Sequence, residues 1–92
     1  MKMNKTRLIF KQINSRSQDT MLRTADYPAG VRDILIENRN AFTIFMGEYP
    51  ILANSNFRVS TENTNDILEM EEPIRFLGNN CFVLITYRIL ID

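Results

Sequence analysis

Residues 81–91 alternate between two faces with a period of two, and this pattern constrains the fold more than any other in the chain. One face carries no polar group except a tyrosine hydroxyl and consists of Cys81, Val83, Ile85, Tyr87, Ile89 and Ile91. The opposite face is also largely apolar, with Phe82, Leu84, Thr86, Arg88 and Leu90. A strand of this kind belongs in the middle of a sheet or at a subunit contact.

The same period, or short β-branched runs, recurs along the chain in place of the three-and-four spacing of helices. We predict strands over 6–13, 21–23, 31–37, 41–46 and 57–60, and a broken strand over 67–70 and 73–77. Ninety-two residues leave room for one core. The sequence therefore predicts a single all-β domain over 1–92, a small antiparallel β-sandwich or barrel with about seven short strands. Residues 1–25 form either its basic N-terminal strand or an arm.

Turn residues suggest how these strands connect. Asparagine tolerates the left-handed backbone of short loops, so 38–40 and 78–80 are each predicted to close a tight hairpin, and 47–50 a further turn. Because proline cannot donate to a β-ladder, Pro73 predicts that the broken strand lies at a sheet edge or carries a bulge. A short helix over 67–72, ended by Pro73, is the alternative.

The composition excludes most kinds of catalytic site. The chain has no histidine, one cysteine (Cys81) and three scattered glycines, which excludes histidine-based triads, cysteine–histidine zinc sites and glycine-rich phosphate loops. Glu69 and Glu71 would share one face of a strand, as a glycosidase-like carboxylate pair or a hard-cation site would require. An acidic edge beside a proline is, however, a common protection against edge-to-edge pairing of sheets. We therefore expect no enzymatic activity, no metal and no cofactor.

Charge is balanced overall but uneven along the chain. Residues 1–32 hold seven cations and two carboxylates, whereas residues 33–92 hold four cations and nine carboxylates. A formal net charge of zero disfavours nucleic acid as a partner and does little to prevent self-association. The candidate interface residues are the basic Lys2, Lys5, Arg7 and Lys11, the acidic Glu62, Asp66, Glu69, Glu71 and Glu72, and the aromatic Phe45 and Tyr49.

The lone cysteine favours a reducing compartment, and no apolar run has the length of a signal peptide or a membrane span. We expect the chain in a cytoplasm, or in a particle assembled there, without a membrane partner.

Five segments together resemble the small β-sandwich accessory proteins of tailed-phage particles: 31–38 (VRDILIEN), 42–45 (FTIF), 49–57 (YPILANSNF), the acidic stretch 67–73 and 83–88 (VLITYR). Such proteins decorate capsids or join head and tail parts. The resemblance assigns no functional residue in this chain. It accounts for the basic first 25 residues only as an arm that clasps a neighbouring subunit.

The resemblance implies a non-enzymatic structural or assembly protein of a virion, assembled in the host cytoplasm. It would contact other structural proteins or copies of itself, as a homo-oligomer or as part of a larger assembly. Two alternatives remain open. One is a small nucleic-acid-binding β-barrel, with Phe10 and Phe82 stacking bases beside Arg7, Lys11 and Arg88. The other is an inhibitor-like module that binds a host protein.

Overall fold

The computed structural model describes residues 5–61 and 66–91. It confirms the all-β sandwich and contains eight strands where about seven are predicted. One turn of 3-10 helix, Thr24–Asp26, follows the second strand, and residues 66–72 are not helical, so the helical alternative is wrong. The strands are β1 (Lys5–Asn14), β2 (Met21–Arg23), β3 (Val31–Asn38), β4 (Ile44–Met46), β5 (Tyr49–Ile51), β6 (Asn56–Ser60), β7 (Glu71–Arg75) and β8 (Phe82–Ile91).

The strands form two four-stranded antiparallel sheets. Sheet I has the order β1-β8-β3-β6 and sheet II the order β2-β7-β4-β5. The ladders pair the first strand with the last, the second with the seventh, the third with the sixth and the fourth with the fifth. This is one long antiparallel hairpin rolled up so that its strand pairs fall alternately in the two sheets. It is the connectivity of an eight-stranded jelly roll.

The alternating strand at 81–91 is confirmed as a central one. β8 pairs with all ten residues of β1 on one side and with β3 on the other. Its inward face is buried at Val83, Ile85 and Tyr87. Each such side chain contributes about 1.5–3 kcal/mol through burial. The core they join comprises Ile13, Leu22, Val31, Ile34, Ile36, Ile44, Met46, Ile51 and Ile74.

Both predicted asparagine hairpins are wrong. β3 and β4 lie in different sheets, and so do β7 and β8, so 39–43 and 76–81 cross between the sheets. The predicted strand at 41–46 accordingly begins only at Ile44. Asparagine at a chain reversal signals the reversal but not which sheet receives the next strand. Among the strands of the described residues, the one hairpin within a sheet is β4–β5, closed by the two-residue turn 47–48, where Gly47 has a φ of +60°. This turn is shorter than the predicted 47–50 because β5 begins at Tyr49.

Asn38 and Asn40 are buried because they replace backbone pairing where the chain leaves sheet I. The Nδ2 group of Asn38 donates to the carbonyl oxygens of Phe42, Ile51 and Leu52 at 3.0, 2.8 and 3.1 Å. Its Oδ1 accepts from the backbone and side-chain amides of Asn40 at 3.0 and 2.8 Å. The two side chains therefore form the centre of one hydrogen-bonded network.

Asn40 extends this network to the start of β8. Its Nδ2 donates to the Phe82 carbonyl at 2.7 Å, and its Oδ1 accepts from the Phe82 amide at 3.2 Å. The side chain thus pairs with Phe82 as a neighbouring strand would. The crossover 39–43 is thereby bound to β3, to the end of β5 and to β8.

The prediction of an edge strand at Pro73 is wrong, because β7 lies between β2 and β4. The amide of Gly47 donates to the Pro73 carbonyl at 2.7 Å, but proline has no N–H to return to the Gly47 carbonyl. The Arg75 side chain donates to that carbonyl instead, at 3.2 Å from Nε and 2.8 Å from Nη2. Of the other half of the broken strand, 67–70, only Leu68 forms a bridge, to Val31.

Replacing Asn38 tests the buried network. Asn38→Ala leaves the buried carbonyl of Ile51, two part-buried carbonyls and Asn40 without their partner, and we expect the free energy of unfolding to fall by about 2–4 kcal/mol. Urea denaturation measures the change. The control is Asn56→Ala, on an exposed β6 position, for which we expect a change within about 0.5 kcal/mol. Equal losses from the two variants would contradict this role.

Tyr87 makes stability depend on alkaline pH. Its ring is 1% exposed and lies 4.7 Å from the Tyr27 ring, centroid to centroid. Burial raises the pKa of the Tyr87 hydroxyl well above its ordinary value, and the neighbouring Tyr27 and Asp26 raise it further. Above about pH 10 the unfolded chain ionises this phenol while the folded chain keeps it neutral. Its contribution to stability is therefore present below pH 10 and is lost as the pH rises.

We expect the free energy of unfolding to fall by up to about 1.4 kcal/mol per pH unit above pH 10 through this group. Tyr87→Phe removes that slope, and urea denaturation at pH 8 and pH 11 measures it. Tyr49→Phe, at a residue 51% exposed, should keep the slope of the unmodified protein. Identical slopes for the Tyr87 variant and the unmodified protein would disprove the assignment.

Candidate functional site

The outer face of sheet I carries an apolar patch formed by Leu8, Phe10, Leu35 and Leu84. Phe10 is 75% exposed and Leu8 49% exposed; both lie on β1, an edge strand that pairs with β8 along its whole length. Leu84 and Leu35, on β8 and β3, are half-buried on the same face. A groove of about 410 Å³ runs beside Phe10 and is also lined by Leu84, Thr86, Glu37 and Arg39.

A β-bulge places two successive side chains of β3 on this face. Val31 is paired with Ile89, but Asp33, not Arg32, is paired with Arg88, so Arg32 is the extra residue. Val31 and Ile34 both point into the core. Arg32 and Asp33 consequently both point outward, which a regular strand would not allow.

At the bulge end of the face lies a second groove, of about 420 Å³, here called the arginine groove. Its charged lining consists of Arg32, Asp33, Arg58 and Arg88, and its hydroxyl lining of Thr6, Ser60 and Thr61. Among the described lining residues there are thus three guanidinium groups and one carboxylate, and Arg32 has an interaction of its own. The residues come from β1, β8, β3 and β6, so every strand of sheet I contributes to the groove or its rim.

The single carboxylate is already paired. The Nε and Nη2 atoms of Arg58 donate to the two oxygens of Asp33 at 3.0 and 2.5 Å, a bidentate ion pair. The hydrogen bond and charge of Asp33 raise the pKa of the Arg58 guanidinium above its ordinary value. Arg58 is therefore held in place across the groove.

Arg88 lies on β8 directly opposite Asp33, in the row Leu8, Arg88, Asp33, Ser60 across the four strands. Within residues 5–61 and 66–91, no side chain forms an ion pair or hydrogen bond with Arg88. Its planar donor group is free to bind the oxygens of a ligand. Chemically, the groove is suited to an oxyanion.

The predicted basic residues lie elsewhere. Lys5, Arg7 and Lys11 share the inward face of β1, because they oppose inward-facing residues of β8. Lys5 and Arg7 are exposed there and Lys11 is half-buried, since the strands of sheet II are too short to cover that end of β1. Inward-pointing charges on an edge strand discourage pairing with a further strand. Lys2 lies outside the described residues.

The predicted acidic residues do not form one cluster. Glu71 accepts from Arg23 Nε at 3.3 Å on the outer face of sheet II, whereas Glu72 lies beside the Gly47 turn. Asp66 and Glu69 are exposed in the connection before β7. Glu62 lies outside the described residues. No three His, Cys, Asp or Glu side chains of the described chain are placed to share a metal ion.

The two predicted aromatic residues make contacts within the domain. The Arg75 guanidinium lies 5.2 Å from the centre of the Phe45 ring, a cation–π distance. Tyr49 packs on Phe57 of β6 at 4.4 Å between ring centroids, so it closes one edge of the sandwich. Of the residues proposed to stack bases, Phe10, Phe82 and Arg88 do share the outer face of sheet I, but Arg7 and Lys11 point the other way.

Sequence reasoning missed the arginine groove because its arginines are far apart in the chain, at positions 32, 58 and 88. The outward positions of Arg58 and Arg88 follow from strand alternation. The bulge at Arg32 leaves no signal in the sequence, and neither does the order of strands that brings β6 and β8 to either side of β3. The exposed Phe10 was identified only as a possible base-stacking residue.

The fold and the groove define an eight-stranded jelly-roll domain with a cationic groove and an apolar patch on one sheet face. No family model matches the chain, and neither the curated proteins nor the solved structures include a significant match. In the described part of the chain, no helix has the length and apolar character needed to cross a membrane.

Proposed function

We propose that this chain is a non-enzymatic assembly protein that acts through protein–protein contacts made by the apolar patch of sheet I. The exposed ring of Phe10 carries the proposal. The Phe10 side chain is 75% exposed, and the neighbouring Leu8 is 49% exposed. Both leave apolar surface in contact with water, and a bound partner would cover it. Such aromatic residues are enriched where protein surfaces meet.

The partner that we propose is a second copy of the chain, related by a two-fold axis. Glu37 and Arg39 line the groove beside Phe10 and form a salt bridge of 2.8 Å. A two-fold contact brings the same surface of both copies together. Glu37 of one copy can therefore pair with Arg39 of the other. The zero net charge of the chain does not oppose the contact.

The jelly-roll fold supports a more specific proposal about the assembly to which the chain belongs. Capsid proteins of viruses are among the proteins that use this architecture, together with lectins and cupins. The support is an analogy of fold, since one fold serves many functions. We propose that the chain is a virion component, decorating a capsid or joining head and tail parts, assembled in the host cytoplasm.

Light scattering coupled to size-exclusion chromatography tests the contact. We expect the unmodified chain to be oligomeric, and Phe10→Ser to weaken association at least about tenfold, because it removes one of the largest exposed apolar side chains. Leu77→Ser is the matched control, since Leu77 is 67% exposed outside the patch, and it should leave the mass unchanged.

Mass spectrometry of purified virus particles tests the virion assignment separately. The proposal expects the chain in a fixed ratio to the major structural protein. A strictly monomeric chain that is absent from every particle would refute both parts. Equal weakening by Phe10→Ser and Leu77→Ser would refute the assigned surface.

A further inference from the structure

The arginine groove lies on the same sheet face as the apolar patch, but it is not needed for the contact proposed above. Its defining feature is the bulge at Arg32, which breaks the regular alternation of β3 and directs an extra guanidinium group to the outside. Bulges that redirect one side chain are common next to functional sites. The groove is therefore a separate candidate.

The charges in the groove are unequal. Asp33 is neutralised by the two hydrogen bonds from Arg58, and its side chain is only 15% exposed. Arg88, one strand away from Asp33, adds a positive charge for which the described residues provide no partner. A ligand entering the groove therefore meets the Arg88 guanidinium beside a carboxylate that is already paired with Arg58.

Hydroxyl groups complete the lining. Ser60 lies directly opposite Asp33 on β6, and Thr6 lines the same groove, as does Thr61, whose hydroxyl donates to the Arg32 carbonyl at 3.5 Å. Hydroxyls such as those of Ser60 and Thr6 donate to oxyanions and place no charge of their own. Guanidinium forks and hydroxyl donors suit a phosphate group, which presents at least two acceptor oxygens and at least one negative charge at neutral pH.

We propose that the arginine groove is a phosphate-binding site in which Arg88 donates a bidentate pair of hydrogen bonds to the ligand. The bound group is either free phosphate or a phosphate of a nucleic acid strand. In the second case Phe10, in the row next to Arg88 on the same face, is positioned for base stacking.

Nuclear magnetic resonance titration of the full chain with inorganic phosphate, at constant ionic strength set with chloride, tests the site. We expect saturable shifts of groove residues. Arg88→Gln should weaken binding about tenfold or more, because a charge-assisted hydrogen-bond pair is lost. Arg88→Lys should restore only part of it, since lysine keeps the charge but not the fork. The control, Arg16→Gln, removes an exposed arginine bonded to Asn80 outside the groove and should bind normally.

A second arm uses a single-stranded oligonucleotide, with binding followed by fluorescence anisotropy at several salt concentrations. Binding that is salt-dependent and weakened by Arg88→Gln supports the site with nucleic acid as the source of phosphate. Saturable binding of inorganic phosphate alone supports it with a small phosphate as the ligand. No binding of either probe overturns the proposal. Equal weakening of phosphate binding by Arg88→Gln and Arg16→Gln also overturns it. So does tighter binding of polyglutamate, a polymer of carboxylates, than of both phosphate probes.

Discussion

The hydrogen bonds of Asn38 and Asn40 fix the crossover 39–43 between the two sheets. Where a strand leaves one sheet for the other, its backbone groups lose their ladder partners, and buried groups without partners are costly. The Asn38 amide supplies partners to carbonyls of the crossover and of the end of β5, and the Asn40 amide pairs with Phe82 at the start of β8. Two short side chains thus close one end of the sandwich.

Three strands of sheet I are longer than any strand of sheet II. β1 and β8 have ten residues each and β3 has eight, whereas β7 has five and β2, β4 and β5 have three each. The inward face then holds the core, and the outward face is left to surface chemistry. The apolar patch lies at one part of this face and the arginine groove at another, so one sheet presents both of the surfaces that we propose for binding.

Much of the fold could be predicted from the sequence, because period-two burial is a local signal. The central position of 81–91 and the strands near 6–13, 21–23, 31–37 and 57–60 are confirmed. Strand pairing was predicted poorly, since the asparagines at 38–40 and 78–80 favour a reversal equally well within a sheet or between sheets. The arginine groove could not be predicted, because it needs the bulge at Arg32 and the positions of β6 and β8 beside β3. The predicted basic residues of β1 face inward, away from it.

We propose the outer face of sheet I as the binding face. Hydrogen–deuterium exchange, compared between dilute protein and protein at a concentration where it associates, locates the contact. We expect slower exchange on association in peptides from β1 and β8, with no change in the β4–β5 hairpin. Slower exchange confined to that hairpin, with β1 and β8 unchanged, would contradict it.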